Sequence, residues 1–247
     1  MAVEPRDELM GSLKKLFIGG SYSDLVIKCG SDEHHVHRAI ICPRSTFFAA
    51  ACNGAFKESN TGVICLEEDD PQTVELMLYY LYHLDYPKQK ETPPPVTPSA
   101  KSTQLIPACS KSTGLTLHAK IYAIAEKYDI QGLKTLALRK FKQGSFFCWV
   151  NLDYLQANAE DFLQAVTEVY TSTIDSDRGM RDVVVKIMIM NPRFLDDERV
   201  QNTVRGLDLC FDLMMHFRRS SDNATARRLL RAGQKQNENT KDPKLLA

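Results

Sequence analysis

No two cysteines in this sequence stand at the short spacing of a zinc knuckle or a redox motif. The seven that occur, Cys29, Cys42, Cys52, Cys65, Cys109, Cys148 and Cys210, are scattered and odd in number. That argues against a disulfide framework and for a reducing compartment, with the cytoplasm or nucleus as the expected setting. Long apolar runs are missing as well. The longest, Val183 to Met190, is interrupted by Lys186 and is far too short to span a bilayer, so no membrane partner is expected. The opening residues MAVEPRDELM carry charges and no apolar h-region, so no secretory leader is expected. Excess charge of one sign is absent too. Lys plus Arg and Asp plus Glu number 31 each over 247 residues, which argues against a whole surface that grips nucleic acid or acidic lipid. No G-x-S-x-G elbow, phosphate loop, dinucleotide fingerprint or H-E-x-x-H helix occurs. Neither an enzyme nor a cofactor is therefore expected.

What is present suits a globular chain. Hydrophobic residues make up 43% and charged residues 25%, enough to build a core without disulfides or a structural metal. Leu9, Leu13, Leu16 and Phe17 recur at helical spacing, with Lys14 and Lys15 on the other side, and Gly19 and Gly20 end the pattern. Leu25, Val26 and Ile27 after Asp24, then HHVHRAII (34–41), predict two short strands joined by a hairpin through Gly30–Glu33. Pro43 opens a small helix with Phe47, Phe48, Ala51 and Cys52 toward one side. The run GVICLEE (62–68) predicts a third strand. Asp70 and Pro71 then form a cap and first-turn pair for a helix running to about Tyr86.

From 87 to 114 the composition changes. Pro93, Pro94, Pro95, Pro98 and Pro107 stand among Lys, Ser and Thr, a stretch too polar to offset its own ordering entropy and expected to be a flexible insertion. Helical periodicity returns at Leu117, Ile121, Ile124 and Tyr128, and again at Leu133, Ala137 and Phe141. Further helices are expected around Phe162–Tyr170, over Val183–Met190, and from about Glu198 to Phe217 on a Val200, Val204, Leu207, Phe211, Met215 stripe. Phe146, Phe147 and Trp149 are read as hinge residues that pack these later helices onto the rest. The expected organisation is a domain over 1–142, a helical extension over 143–232 and a polar tail over 233–247.

The segments SDLVIKC, HVHRAIICPRSTFF, GAFKES and LEEDDPQTVELMLYYLY, followed by AKIYAIAEKYDIQGLKTLALRKF, occur in that order. Together they resemble the BTB/POZ family across about residues 8 to 142, and within it the short single-BTB proteins of filamentous fungi. The resemblance implies an α+β fold, a helix cluster flanked by a small mixed sheet, here with an all-helical C-terminal extension. It also implies a protein-interaction module, with partners that include a cullin-type ubiquitin ligase and unknown substrates, and a homodimer through Leu9, Leu13, Leu16 and Phe17. By the same resemblance Asp24 and Arg38 fall in a charged pocket near the dimer surface, and Phe56, Lys57 and Glu58 match the hydrophobic–any–Glu pattern of cullin-binding members. Two departures stand out: no strand precedes the first helix, and the insertion after Tyr86 is unusual.

Rival readings of single features are weaker. His34, His35 and His37 invite a metal, but a closed site needs further ligands at matching reach and no cysteine or acid pair is read as supplying them. Glu67 to Asp70 sit before a helix N-terminus, where negative charge is favoured anyway. The stretch from Arg218 to Ala247 holds eight Lys or Arg against three acids. It could touch phosphate backbones, yet no aromatics interleave with it, and a solvated helix end is preferred. The alternatives to a ligase adaptor are a self-assembling scaffold or a nuclear regulator that uses this basic segment.

Overall fold

The computed structural model describes residues 4–53, 61–87 and 114–221. The expected insertion and polar tail, the family-pattern residues Phe56, Lys57 and Glu58, and most of the basic segment lie outside the described residues. Helix α1 (Pro5–Gly19) has proline at its first turn and Asp7 and Glu8 beside it, complementing the N-terminal dipole. It stops where Gly20 turns left-handed at φ 59°, its N–H donating to the Leu16 carbonyl.

Strand β1 (Leu25–Cys29) is the middle of a three-stranded mixed sheet, antiparallel to β2 (Asp32–Val36) and parallel to β3 (Val63–Cys65). Ile27 faces His34 on one side and Ile64 on the other. Period-two alternation buries Leu25, Ile27 and Cys29 while Val26 and Lys28 stay half-buried. A parallel pair needs a crossover, and among the described residues two short helices lie within it.

That crossover corrects the sequence reading of 34–41 as strand. The strand stops at Val36 and α2 (Arg38–Ile41) follows at once. The β-branched Ile40 and Ile41 favour a strand locally, but tertiary contacts win. The Asp24 carboxylate accepts the Arg38 N–H at 2.8 Å, and the Ile40 and Ile41 N–H groups both donate to the His37 carbonyl. A 3₁₀ turn (Cys42–Arg44) carrying Pro43 leads into α3 (Thr46–Asn53). Ser45 caps α3, its Oγ accepting the Phe48 N–H at 3.2 Å.

Helix α4 (Pro71–His83) is the spine of the core, with Val74, Met77, Leu78, Leu81 and Tyr82 buried. Its predicted start is borne out: Asp70 accepts from the Thr73 N–H and Oγ1. Its end comes earlier than expected, at Leu84 with φ 60°. Helices α5 (Leu115–Lys127) and α6 (Gln131–Gly144) form an antiparallel pair against it.

Five helices follow: α7 (Phe146–Val150), α8 (Leu152–Ala157), α9 (Ala159–Ser172), α10 (Arg178–Met190) and α11 (Glu198–Arg205), with a last helix α12 over 209–221. Helix α9 packs along α5 and caps it from a distance. The Asp161 carboxylate accepts the Leu115 and Thr116 N–H groups at 3.1 and 3.2 Å, a task Gly114 has no side chain to perform. The buried apolar residues form one continuous cluster, from Leu25 in the sheet to Leu213 in α12.

Two expectations in this segment are corrected. Residues 198–217 are not one helix: the chain breaks at 206–208, so Val200 and Val204 are followed in the core by Leu209 and Leu213. The break rephases the apolar stripe and leaves Phe211 on the surface. The hinge packing at α7 falls to Cys148, fully buried, and Trp149, half-buried, while Phe146 and Phe147 are 51% and 58% exposed.

Candidate functional site

The face around α3 is built from Tyr128 outward. Its phenol donates to Asp69 Oδ2 at 2.5 Å, and burial followed by that hydrogen bond pushes its pKa upward, so it stays a neutral donor. Phe48, fully buried, stacks on Tyr128 with planes 4° apart and centroids 5.5 Å apart. Phe47, the next residue, meets the same ring edge-on at 4.8 Å yet is 40% exposed. Helix α3 is bolted to the α5–α6 turn by Ser45 Oγ donating to the Tyr128 carbonyl and Thr46 Oγ1 donating to Asp129, both at 2.6 Å. A groove of about 420 Å³ runs beside these bonds. Arg44 forms one side, its guanidinium 5.1 Å from the Tyr80 ring centroid and donating to the Leu81 carbonyl. Gly132 forms the other, where any Cβ would strike the Tyr80 hydroxyl. The phenylalanine next to Thr46 is half-exposed, so α3 offers an aromatic side chain close to this groove. Such a surface suits a protein partner.

Asp24 and Arg38, singled out by resemblance, are brought together. Asp24 is exposed and accepts from the main-chain N–H of Arg38, so it caps α2. The half-buried Arg38 guanidinium lies beside Gly62, whose φ of 66° keeps the chain close there. Next to this pair His37 is buried and fully bonded. Its N–H donates to the Tyr82 hydroxyl, that hydroxyl reaches Nδ1, and Nε2 reaches the Ser21 carbonyl, at 2.9, 2.9 and 2.7 Å. The one consistent assignment has Tyr82 donating to Nδ1 and a protonated Nε2 donating to Ser21. Burial raises the Tyr82 pKa to about 12. This histidine is a packing element, and no cluster of three His, Cys, Asp or Glu that would hold a metal occurs among the described residues.

The α1 residues separate. Leu16 and Phe17 pack on α4, Phe17 meeting Tyr79, Tyr82 and His83 at centroid distances of 5.9, 5.0 and 5.6 Å. Leu13 is half-buried and Leu9 is 61% exposed. The acidic run is consumed locally, with Asp70 capping α4 and Asp69 binding Lys127 and Tyr128. Burial, then the neighbouring Cys52 thiol, pushes the Cys42 pKa up to about 12. Phe47, Tyr80, Tyr128 and Gly132 escaped the sequence reading as site residues. Only the neighbouring Phe47 and Phe48 hinted at one ring in and one ring out.

Residues 13–113 match the family model of the BTB/POZ domain. The matched stretch spans the sheet, α2, α3 and α4. The fold is thus a BTB domain with a small mixed three-stranded sheet, and α5–α12 continue it beyond the match. The match supports a protein–protein interaction module.

Proposed function

We propose that this chain, with its BTB/POZ domain, is an adaptor that engages a cullin-type ligase scaffold through the α3 face and presents other proteins to it. The observation that carries the reading is Phe47, an aromatic side chain left 40% exposed on α3, next in the chain to Thr46 of the groove. An exposed aromatic on a pre-ordered surface is the usual anchor of an interface, since its contact area costs little conformational entropy to order. Helix α3 ends at Asn53, immediately before the segment that carries Phe56 and Glu58. Anchor and family pattern are therefore adjacent in the chain. In a binding assay with purified cullin, Phe47→Ala and Phe56→Ala are each expected to weaken capture by about 2 kcal/mol or more. Glu58→Ala is expected to cost less, and a circular dichroism melt serves as the folding control. Intact protein that captures no cullin sinks the adaptor reading.

A self-assembling scaffold is the second reading, favoured by the apolar surface of α1. Leu9 is 61% exposed there, and Leu13, one turn on along the same face, is half-buried. A two-fold dimer would use that patch twice. Light scattering at micromolar concentration is expected to give a dimer, and Leu9→Glu a monomer with an unchanged melt. A monomer in both proteins removes this reading.

A further inference from the structure

The C-terminal helices form a second concave surface that shares no residue with the α3 groove. It encloses about 620 Å³ between the end of α6, α7 and one face of α10. Trp149, Val183 and Ile187 give it an apolar floor, and the rim carries Lys142, Arg178 and Lys186 with one carboxylate, Asp182. Arg178 is already engaged, held at 2.8 Å by Asp182 and by Asp212. Lys142 and Lys186 are different. Both are exposed, and neither has a carboxylate in ion-pair reach among the described residues. Lys186 Nζ stands 3.8 Å from the Trp149 ring centroid, which fixes one charge over the floor. The indole Nε1 is shielded from solvent, so polar recognition here runs through the two ammonium groups.

We propose that this groove docks a short acidic segment of a partner protein. One apolar side chain would rest on Trp149, Val183 and Ile187, with flanking carboxylates on Lys142 and Lys186. Charge complementarity selects this occupant. A second copy docking groove to groove would set the two lysines against their own equivalents. A phosphate-backbone ligand would use the lysines and leave the apolar floor empty. The inference is independent of the cullin reading, since it involves other residues and another partner.

Trp149 is the only tryptophan in the chain, so its emission reports occupancy directly. The probe is a random peptide library displayed on phage and panned on the full chain. Enriched peptides are expected to pair acidic residues with one large apolar residue and to shift the Trp149 emission. Affinity is expected to fall about tenfold in Lys142→Glu/Lys186→Glu. Lys14→Glu/Lys15→Glu on α1 makes the same change in net charge and is expected to leave binding intact. Should loss of the Lys186–Trp149 contact lower the melting temperature, Lys142→Glu alone carries the test. The proposal is overturned if no peptide is enriched, if the enriched peptides lack acidic residues, or if both double variants weaken binding equally.

Discussion

Two phenylalanine pairs, Phe47–Phe48 in α3 and Phe146–Phe147 in α7, follow buried serines in similar short helices and meet different fates. In α3 the second ring is fully buried and the first half-exposed; in α7 both are exposed and the next residue, Cys148, is buried instead. The difference lies in what stands opposite. Helix α3 faces the flat ring of Tyr128, wide enough to accept one phenylalanine face-on and another edge-on. Helix α7 faces α10, where Asn191 Nδ2 donates to the Cys148 carbonyl at 3.1 Å and sets the helix close against its neighbour. The side chain that meets this wall is the small thiol of Cys148. Side-chain fate thus follows the facing wall, and local hydrophobicity comes second.

The largest expected effect tests that account directly. Phe48→Ala empties a stacked, fully buried site and is expected to cost about 3–5 kcal/mol in chemical denaturation. Cys148→Phe is the converse. If the close approach of α7 is real, overpacking there is expected to cost about 1–3 kcal/mol. A tolerated phenylalanine at 148 would mean the wall yields and the comparison fails.

An intermediate effect is expected where α10, the wall behind α7, is anchored. Tyr122 Oη donates to Asp177 Oδ1 at 2.6 Å, Lys134 pairs with the same carboxylate at 2.8 Å, and the Gly179 N–H completes the cap. Burial alone would raise the Asp177 pKa, but the hydrogen bonds from Lys134, Tyr122 and Gly179 outweigh it and hold it below its ordinary 3.8. The Lys134 pKa moves up from 10.5, burial being outweighed by Asp177 and Glu126. A lowered carboxylate pKa stabilises the fold above the ordinary value and ceases to as pH falls through the folded one. A raised lysine pKa stabilises below 10.5 and ceases to as pH rises past it. The anchor is therefore fully effective between about pH 5 and 10. Asp177→Asn is expected to cost about 1–3 kcal/mol at pH 7, discounted from a fully buried pair because water reaches this one. Lowering the pH from 7 to 3 should narrow the gap between the urea midpoints of the two proteins. Gly179→Ala, which drives a methyl into the Tyr122 hydroxyl, should show a loss that persists at both pH values.

Legibility in the sequence tracked how local the cause was. The Asp70–Pro71 start of α4 was plain because cap and proline act within one turn. The second half of α10 was legible as the apolar run Val183–Met190, while its first turns, from Arg178, were not. Helix α2 was hidden, since Ile40 and Ile41 favour strand and their helix depends on Asp24, fourteen residues before Arg38. The break at 206–208 was hidden because either helical phase offered apolar residues, and only the core at Leu209 and Leu213 chooses between them. Asp24 and Arg38 were found by resemblance. Their contact through a main-chain N–H was not foreseeable from residue type. Tyr128 as the platform of the α3 face depends on a fold-wide meeting of Asp69, Ser45 and Phe48.

The smallest effect on stability is the sharpest test of function. Phe47→Ala removes edge-on contacts with Tyr128 and Phe48 and is expected to cost about 1 kcal/mol. Phe147→Ala removes a tilted contact with Tyr154 at 5.6 Å from a more exposed ring, and a change within about 0.5 kcal/mol is expected. The two variants should thus be nearly indistinguishable by urea midpoint, although both rings point to solvent. Partner capture should separate them: Phe47 follows Thr46, which lines the α3 groove, whereas Phe147 adjoins no residue of that groove. Loss of cullin capture in Phe47→Ala alone would tie the α3 ring to an interface. Equal capture by both variants would make Phe47, like Phe147, an exposed ring with no partner, and would return the α3 groove to a packing detail.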